Sequence, residues 1–94
     1  MLFRSRSVEI NRKKLLQRLA QGAFRNVAFR DMVALVEGFG FRLVCTSGSH
    51  HIFSHPGIPE LVNLQEVGGE AKPYQIRQFL RLIERYNITM EDER

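Results

Sequence analysis

Residues 41–57 read FRLVCTSGSHHIFSHPG, and this stretch decides the fold. Two runs with strand-like alternation, 41–46 and 50–55, flank the turn-forming residues 47–49. Strand side chains alternate between two faces, and so short a connection joins antiparallel neighbours. The stretch therefore predicts a β-hairpin, with Phe41, Leu43 and Cys45 on one side of its first strand. A third strand is predicted over Leu61–Gln65, after the turn at Pro56-Gly57.

Helices are predicted on both sides of these strands. Apolar residues at helical spacing predict a helix over Phe29–Glu37, and Pro73 suits the first position of a last helix that ends near Tyr86. A short first helix is predicted from about Asn11 to Gln21. Together these elements predict an α+β fold: a three-stranded antiparallel sheet with helices on one face and the other face open.

Length and composition limit the class of protein. The chain has 94 residues, of which 44% are hydrophobic and 26% charged, so we expect one small globular domain and exclude collagen-like and disordered chains. The single cysteine, Cys45, excludes an internal disulfide and favours a reducing, intracellular setting. It is predicted to be a packed strand residue. Neither a membrane span of ~20 apolar residues nor a secretory signal is predicted.

Positive charge is concentrated near the N-terminus. Residues 1–30 contain eight Lys or Arg and one Glu, whereas residues 31–71 contain one Arg and five acids. This distribution is typical of an arm or helix that meets phosphates or an acidic partner, and also of a solvated helix face. We divide the chain into a basic N-terminal arm and helix (1–22), a central domain (23–90) and an acidic tail (91–94).

All three histidines of the protein, His50, His51 and His55, lie within six residues. Histidine titrates near neutral pH and is therefore suited to general acid or base chemistry. In the cleavage of an RNA phosphodiester, the 2′-hydroxyl must lose a proton and the 5′ leaving oxygen must gain one. A positioned imidazole can perform either transfer without a metal ion. The cluster therefore makes ribonuclease chemistry one hypothesis.

Two other interpretations of the histidines stay open. His51 and His55 share a strand face but lie about 13 Å apart along it. That distance is too long for one Zn²⁺, whose ligand bonds are about 2 Å. The histidines can also be purely structural. Strand alternation places His50 with Ile52, and His51 and His55 with Phe53, but it does not settle which face meets the helices.

A series of motifs carries a family resemblance. They are the helix at 29–37, Gly40-Phe41-x-Leu43-Val44, Gly48-Ser49-His50-His51-Ile52-Phe53-x-His55-Pro56, and Lys72-Pro73 at the start of the last helix. Over roughly residues 29–88 the chain resembles the HicA-type toxins, the YcfA-like mRNA interferases. The resemblance implies a double-stranded-RNA-binding-domain-like fold, α-β-β-β-α, and metal-independent cleavage of mRNA with no cofactor. It also implies a cytoplasmic HicB-type antitoxin that occludes the site.

The resemblance also implies roles for particular residues. By position, His50 is the catalytic candidate. His51 is the second candidate, because the family's histidine can be aligned with either of these two adjacent residues. Gly48 and Ser49 would shape the turn in front of them. The start of the last helix is expected to hold RNA phosphates, because a helix N-terminus favours anions. From their place at the start of this helix, Lys72 and Arg77 are the residues expected to do so; the alternative is that both are ordinary surface charges of the helix.

Two features depart from the family pattern. The family often has a Pro-Arg-His-like segment after its third strand, where this chain has residues 64–70, with two acids and no histidine. The N-terminal helix, within residues 8–22, is additional to the minimal toxin. A second function therefore stays open: a non-catalytic RNA-binding or antitoxin-binding module of the same fold.

Overall fold

The computed structural model of the protein describes residues 12–90. Helix α1 covers residues 12–20. It is followed by helix α2 (Phe29–Gly38), strands β1 (Arg42–Ser47), β2 (His50–His55), β3 (Ile58–Val67) and β4 (Glu70–Ala71), and helix α3 (Pro73–Arg85). The strands form one antiparallel sheet in the order β1-β2-β3-β4. The predicted α+β fold is confirmed.

The sheet has four strands rather than the predicted three. Strand β4 has two residues and pairs with the end of β3, where Ala71 lies opposite Glu66. Gly68 and Gly69 form the turn between them with φ values of 60° and 81°. A two-residue hairpin turn of this kind needs positive φ at both central positions, which glycine adopts without strain. A strand of two residues has no alternation to detect, so the sequence pattern missed it.

Phe53 determines which face of the sheet is buried. Its side chain is 1% exposed and lies opposite Val62, and Leu64 is fully buried on the same face. The apolar side chains of α2 and α3 belong to the same core cluster, so both helices cover this face, as predicted. The other face carries Ile52 and Leu61, the latter 60% exposed, and no helix of the described residues covers it.

A bulge in β1 changes the faces of that strand. Leu43 lies opposite Phe53, but the next paired residue, Cys45, lies opposite Ile52, so Val44 is an extra residue. The prediction that Leu43 and Cys45 share a side is wrong, because one inserted residue reverses the alternation beyond it. The prediction of a packed Cys45 is also wrong: its side chain is exposed, like every residue of this edge strand.

Helix α1 packs on the same core through Leu15 and Leu19. Of the three basic residues expected on its outer face, Lys13 and Arg18 are exposed, whereas Arg12 is half-buried with its side chain against Gly38. Lys14 is exposed as well. The predicted start of this helix at residue 11, the arm before it and the tail at 91–94 lie outside the described residues. Among the helices that are described, none has the length and apolar character needed to cross a membrane.

The end of α3 is tied to β3 by a polar contact. The Tyr86 hydroxyl donates a hydrogen bond of 2.6 Å to Glu60 Oε1, and Arg85 Nη1 lies 3.4 Å from Glu60 Oε2. The bond from Tyr86 lowers the pKa of Glu60 below its ordinary value of 4.5. The same bond raises the pKa of Tyr86 above its ordinary value of 10.0. Both shifts favour the ionised carboxyl and the protonated phenol.

Candidate active site

The turn between β1 and β2 consists of Gly48 and Ser49. Gly48 has φ of 59°, which a residue without Cβ adopts most easily. Ser49 is tied to β3 by two hydrogen bonds. Its carbonyl oxygen accepts one from Glu66 N at 3.0 Å, and its hydroxyl oxygen accepts one from Gln65 Nε2 at 3.3 Å. The position of the turn in front of the histidines is therefore set by β3.

His50 lies on the open face of the sheet and is half-buried. Its Nδ1 is 3.3 Å from the amide oxygen of Asn63 on β3. An amide oxygen can only accept a hydrogen bond, so in the neutral ring Nδ1 carries the proton. The lone pair of Nε2 is then available to take up a proton. A second group that fixes the tautomer in this way is typical of histidines that act as bases.

His51 lies on the opposite face of β2, toward α2. Its ring centroid is 4.8 Å from that of Phe29, and its Nδ1 is 3.2 Å from the carbonyl oxygen of Ser49. The carbonyl fixes the same tautomer as in His50, with Nε2 unprotonated. His51 lines a groove of about 640 Å³, together with Arg30 and Glu66. The two neighbouring histidines therefore have similar chemistry but different surroundings.

His55 has a structural role. The backbone N–H of Gly57 donates a hydrogen bond of 2.9 Å to its Nδ1, and its ring centroid lies 5.1 Å from that of Phe41. The imidazole thus closes the turn between β2 and β3 and packs on the edge of the core. Its Nδ1 accepts rather than donates, so its neutral tautomer is the reverse of that of His50 and His51. The structural interpretation left open for all three histidines fits this one.

The two expected phosphate ligands lie on different surfaces. Lys72 precedes α3 directly after β4, and its ammonium lies 5.8 Å from the centre of the Tyr74 ring. Since β3 separates β4 from β2, Lys72 is about two strand spacings, ~10 Å, from Ser49. The guanidinium of Arg77 instead lies 5.2 Å from the Phe24 ring centre, in a groove of about 550 Å³ between α1 and α3. Lys72 is thus at the histidine end of the sheet, and Arg77 is on the helical side.

Sequence reasoning missed two residues of this region. Asn63 is the only polar residue in the stretch Leu61–Leu64. A polar residue within an apolar strand needs a hydrogen-bond partner, so the sequence already marked Asn63 as a candidate site residue. Arg30 gave no signal, because its place beside His51 depends on how α2 meets the sheet. Within residues 12–90, no three His, Cys, Asp or Glu side chains are grouped so that they could hold a metal ion.

From α2 to α3 the element order is α-β-β-β-β-α, with the short β4 added to three longer strands. This order, the antiparallel sheet with helices on one face and the histidine-bearing hairpin define a small α+β protein of the double-stranded-RNA-binding-domain type. Residues 29–84 match the family described as the HicA toxin of bacterial toxin–antitoxin systems. The match spans more than half of the chain, so the protein belongs to the HicA toxin family, and the sequence resemblance is confirmed. No curated protein and no solved structure matches the chain significantly.

Membership of this family has two direct consequences. The protein is a toxin-type member of a toxin–antitoxin pair, and an antitoxin is its implied partner.

The matched residues include the whole hairpin and nearly all of α3, whereas α1 lies outside them. Helix α1 with its basic face is therefore an addition to the part that defines the family.

Proposed function

We propose that the protein is an endoribonuclease toxin that cleaves mRNA in the cytoplasm, with His50 as a general acid or base and without a metal ion. One observation carries the proposal: His50 lies on the helix-free face of the sheet, with its Nδ1 on Asn63 and its Nε2 available for proton transfer. The Gly48-Ser49 turn, anchored to β3, holds the backbone in front of it. His51 is the alternative catalytic histidine.

The proposed reaction needs two proton transfers. The 2′-oxygen attacks the neighbouring phosphorus and the bond from phosphorus to the 5′-oxygen breaks, which gives a 2′,3′-cyclic phosphate and a 5′-hydroxyl. A neutral imidazole takes the proton from the 2′-hydroxyl, and a protonated imidazole supplies one to the 5′-oxygen. His50 is proposed for one of these transfers, and water for the other, because His51 lies on the opposite face of the strand. Such an imidazole typically contributes 10²–10⁴-fold to the rate, as an order of magnitude.

The RNA backbone is proposed to follow the positive residues nearest this end of the sheet. Gly48 and Ser49 offer the turn backbone, and Lys72 offers an ammonium about two strands away. Arg77 would contact a more distant phosphate, on the side where α1 carries its exposed cations. The proposed protein partner is a HicB-type antitoxin that covers the histidine end of the hairpin.

One observation favours the second function, a non-catalytic RNA-binding or antitoxin-binding module. Glu66 lines the groove of His51, and Glu70 is exposed on the neighbouring β4. Carboxylates next to the site repel phosphates and attract the cations of a protein partner. In this second function, the histidines serve recognition rather than proton transfer.

Expression in a bacterium separates the two functions. The enzyme proposal expects that the wild type arrests growth, that His50→Ala abolishes or strongly reduces the arrest, and that the structural control His55→Ala retains it at a temperature where it stays folded. Purified wild type should cut single-stranded RNA and leave 5′-hydroxyl ends. Binding of RNA without cutting, together with normal growth, would support the module instead.

A further inference from the structure

Gln75 is the only polar side chain in the buried core of the described residues, with 2% of its surface exposed. It lies in the first turn of α3 and shares an apolar stripe with Phe79 and Ile83, four and eight residues further on. A buried amide is retained only when it is hydrogen-bonded, because burial removes its contacts with water. The partner of Gln75 therefore indicates its role.

The shorter of the two hydrogen bonds of Gln75 is with the backbone of β3 at the histidine end of the sheet; in the other, its Nε2 donates to the Tyr74 hydroxyl at 3.5 Å. Gln75 Oε1 accepts a hydrogen bond of 2.6 Å from Gln65 N. The side chain of Gln65 in turn donates to Ser49 Oγ at 3.3 Å, and Gln65 lies opposite His50 in the strand register. The next residue, Glu66, donates its N–H to the carbonyl oxygen of Ser49. A continuous set of hydrogen bonds thus runs from the core of α3 to the turn.

We infer that Gln75 is a positioning residue for the proposed cleavage: by holding Gln65, it fixes the Ser49 turn and the two histidines that follow it. This inference rests on the proposed function, since only a catalytic imidazole requires such precise placement. The Ser49 carbonyl is also the partner of His51 Nδ1. A displaced turn would therefore move both histidines, whichever of them is catalytic.

The test replaces Gln75 with methionine, which has a similar shape but offers no amide oxygen. The matched control is Gln78→Met, because Gln78 is exposed on the same helix and the chemical change is identical. The readouts are the imidazole NMR signals of the three histidines without RNA, the melting temperature, and kcat and KM for RNA cleavage well below the melting temperature. His55, at the other end of β2, is the internal reference.

We expect Gln75→Met to shift the imidazole signals of His50 and His51 but not those of His55, and to leave KM nearly unchanged. A misplacement of about 1 Å can cost up to 10²-fold, so kcat should fall by about tenfold or more. Gln75→Glu keeps an acceptor oxygen and should restore part of kcat. Gln78→Met should change none of these quantities.

The inference is overturned if Gln75→Met lowers only the melting temperature, with unchanged histidine signals and kcat, because its role is then purely structural. Should Gln75→Met fail to fold, Gln65→Met removes only the side-chain link to Ser49 and must shift the same two imidazoles. Unchanged signals in Gln65→Met would then overturn the inference. If the signals shift but wild type does not cut RNA, the proposed function fails while the coupling from helix to turn is upheld.

Discussion

His50 and His51 are adjacent in the chain and lie on opposite faces of the same strand, one beside Asn63 and the other against Phe29. Because only one face can hold the scissile phosphate, we expect unequal effects of their replacement. His50→Ala should lower RNA cleavage by about 10²–10⁴-fold, and His51→Ala should cost less. Cleavage rates of the two purified variants, measured side by side, provide the test.

The fold should survive both changes, since neither removes a large apolar side chain from the core. Thermal melting of the variants checks this directly. His55→Ala is the matched control: it should lower the melting temperature, because the Gly57 N–H loses its acceptor, and leave cleavage unchanged below that temperature. A loss of cleavage only in His51→Ala would assign the chemistry to the α2 side of the sheet.

Cleavage should persist in EDTA. Proton transfer by an imidazole needs no bound cation, so the rate with a chelator should equal the rate without it. The measurement uses single-stranded RNA and a metal-dependent nuclease as the control that EDTA must stop. Abolition of cleavage by EDTA, with restoration by added divalent cation, would contradict histidine-only chemistry.

RNA affinity should fall with salt. Each phosphate contact to a single strand contributes about 0.7 to the slope of log affinity against log salt concentration. Lys72→Gln should therefore reduce that slope by about 0.7, and Arg77→Gln should do the same if RNA extends to the α1 side. Arg85→Gln is the control, because Arg85 is on the same helix but already lies beside Glu60. An affinity independent of salt would refute the electrostatic picture.

Tyr86→Phe should make the protein less stable over a defined pH range. The pKa of Glu60 is lowered in the folded state, so its contribution is complete above pH 4.5 and is lost as the pH falls through the lowered value. The pKa of Tyr86 is raised, so its contribution is complete below pH 10.0 and is lost as the pH rises through the raised value.

The difference in melting temperature between wild type and Tyr86→Phe should therefore be largest between pH 4.5 and 10.0 and should shrink on the acid side. Melting curves recorded from acid to neutral pH measure it. A difference that stays constant down to strongly acid pH would mean that the bond to Glu60 is not its source.

Gly48→Ala should destabilise the hairpin through the backbone alone. Apart from Gly48 itself and its two chain neighbours, no residue has an atom within 4 Å of a Cβ placed there, so an added methyl group meets open space. Its φ of 59° nevertheless costs an ordinary residue about 1–2 kcal/mol. Gly48→Asn should cost less, because asparagine tolerates this conformation. Urea unfolding of the two variants measures the difference, and equal stability of wild type and Gly48→Ala would disprove it.

Elements bounded by turn residues were predictable from the sequence. Strand β2 covers His50–His55, as predicted, because Gly48-Ser49 precedes it and Pro56-Gly57 follows it. Helix α2 was predicted to end at Glu37, one residue before its observed end at Gly38. Its apolar stripe identifies the helix but does not mark its last residue. The choice between Ile52 and Phe53 as the buried neighbour was not predictable. Both are apolar, and only packing of the helices decides between them.

The site was less predictable than the fold, because its contacts join residues that are distant in the chain. The place of Gln75 on a stripe with Phe79 predicts that it is buried, but nothing local identifies Gln65 as its partner. Asn63 could be recognised as an unusual strand residue, but its contact with His50 depends on the register of two strands. Only the hydrogen-bond contacts in the folded protein separate His50 and His51, the two catalytic candidates, from the structural His55.

The bulge at Val44 also affects how the molecule behaves at high concentration. Strand β1 is at the edge of the sheet and all six of its residues are exposed. Such an edge offers unpaired backbone groups to a strand of another copy, and the exposed Leu43 and Val44 would strengthen that attachment. The extra residue, Val44, divides the edge strand into two regular residues before it and three after it. Continuous pairing between copies is thereby shortened, so the bulge protects the chain against edge-to-edge aggregation.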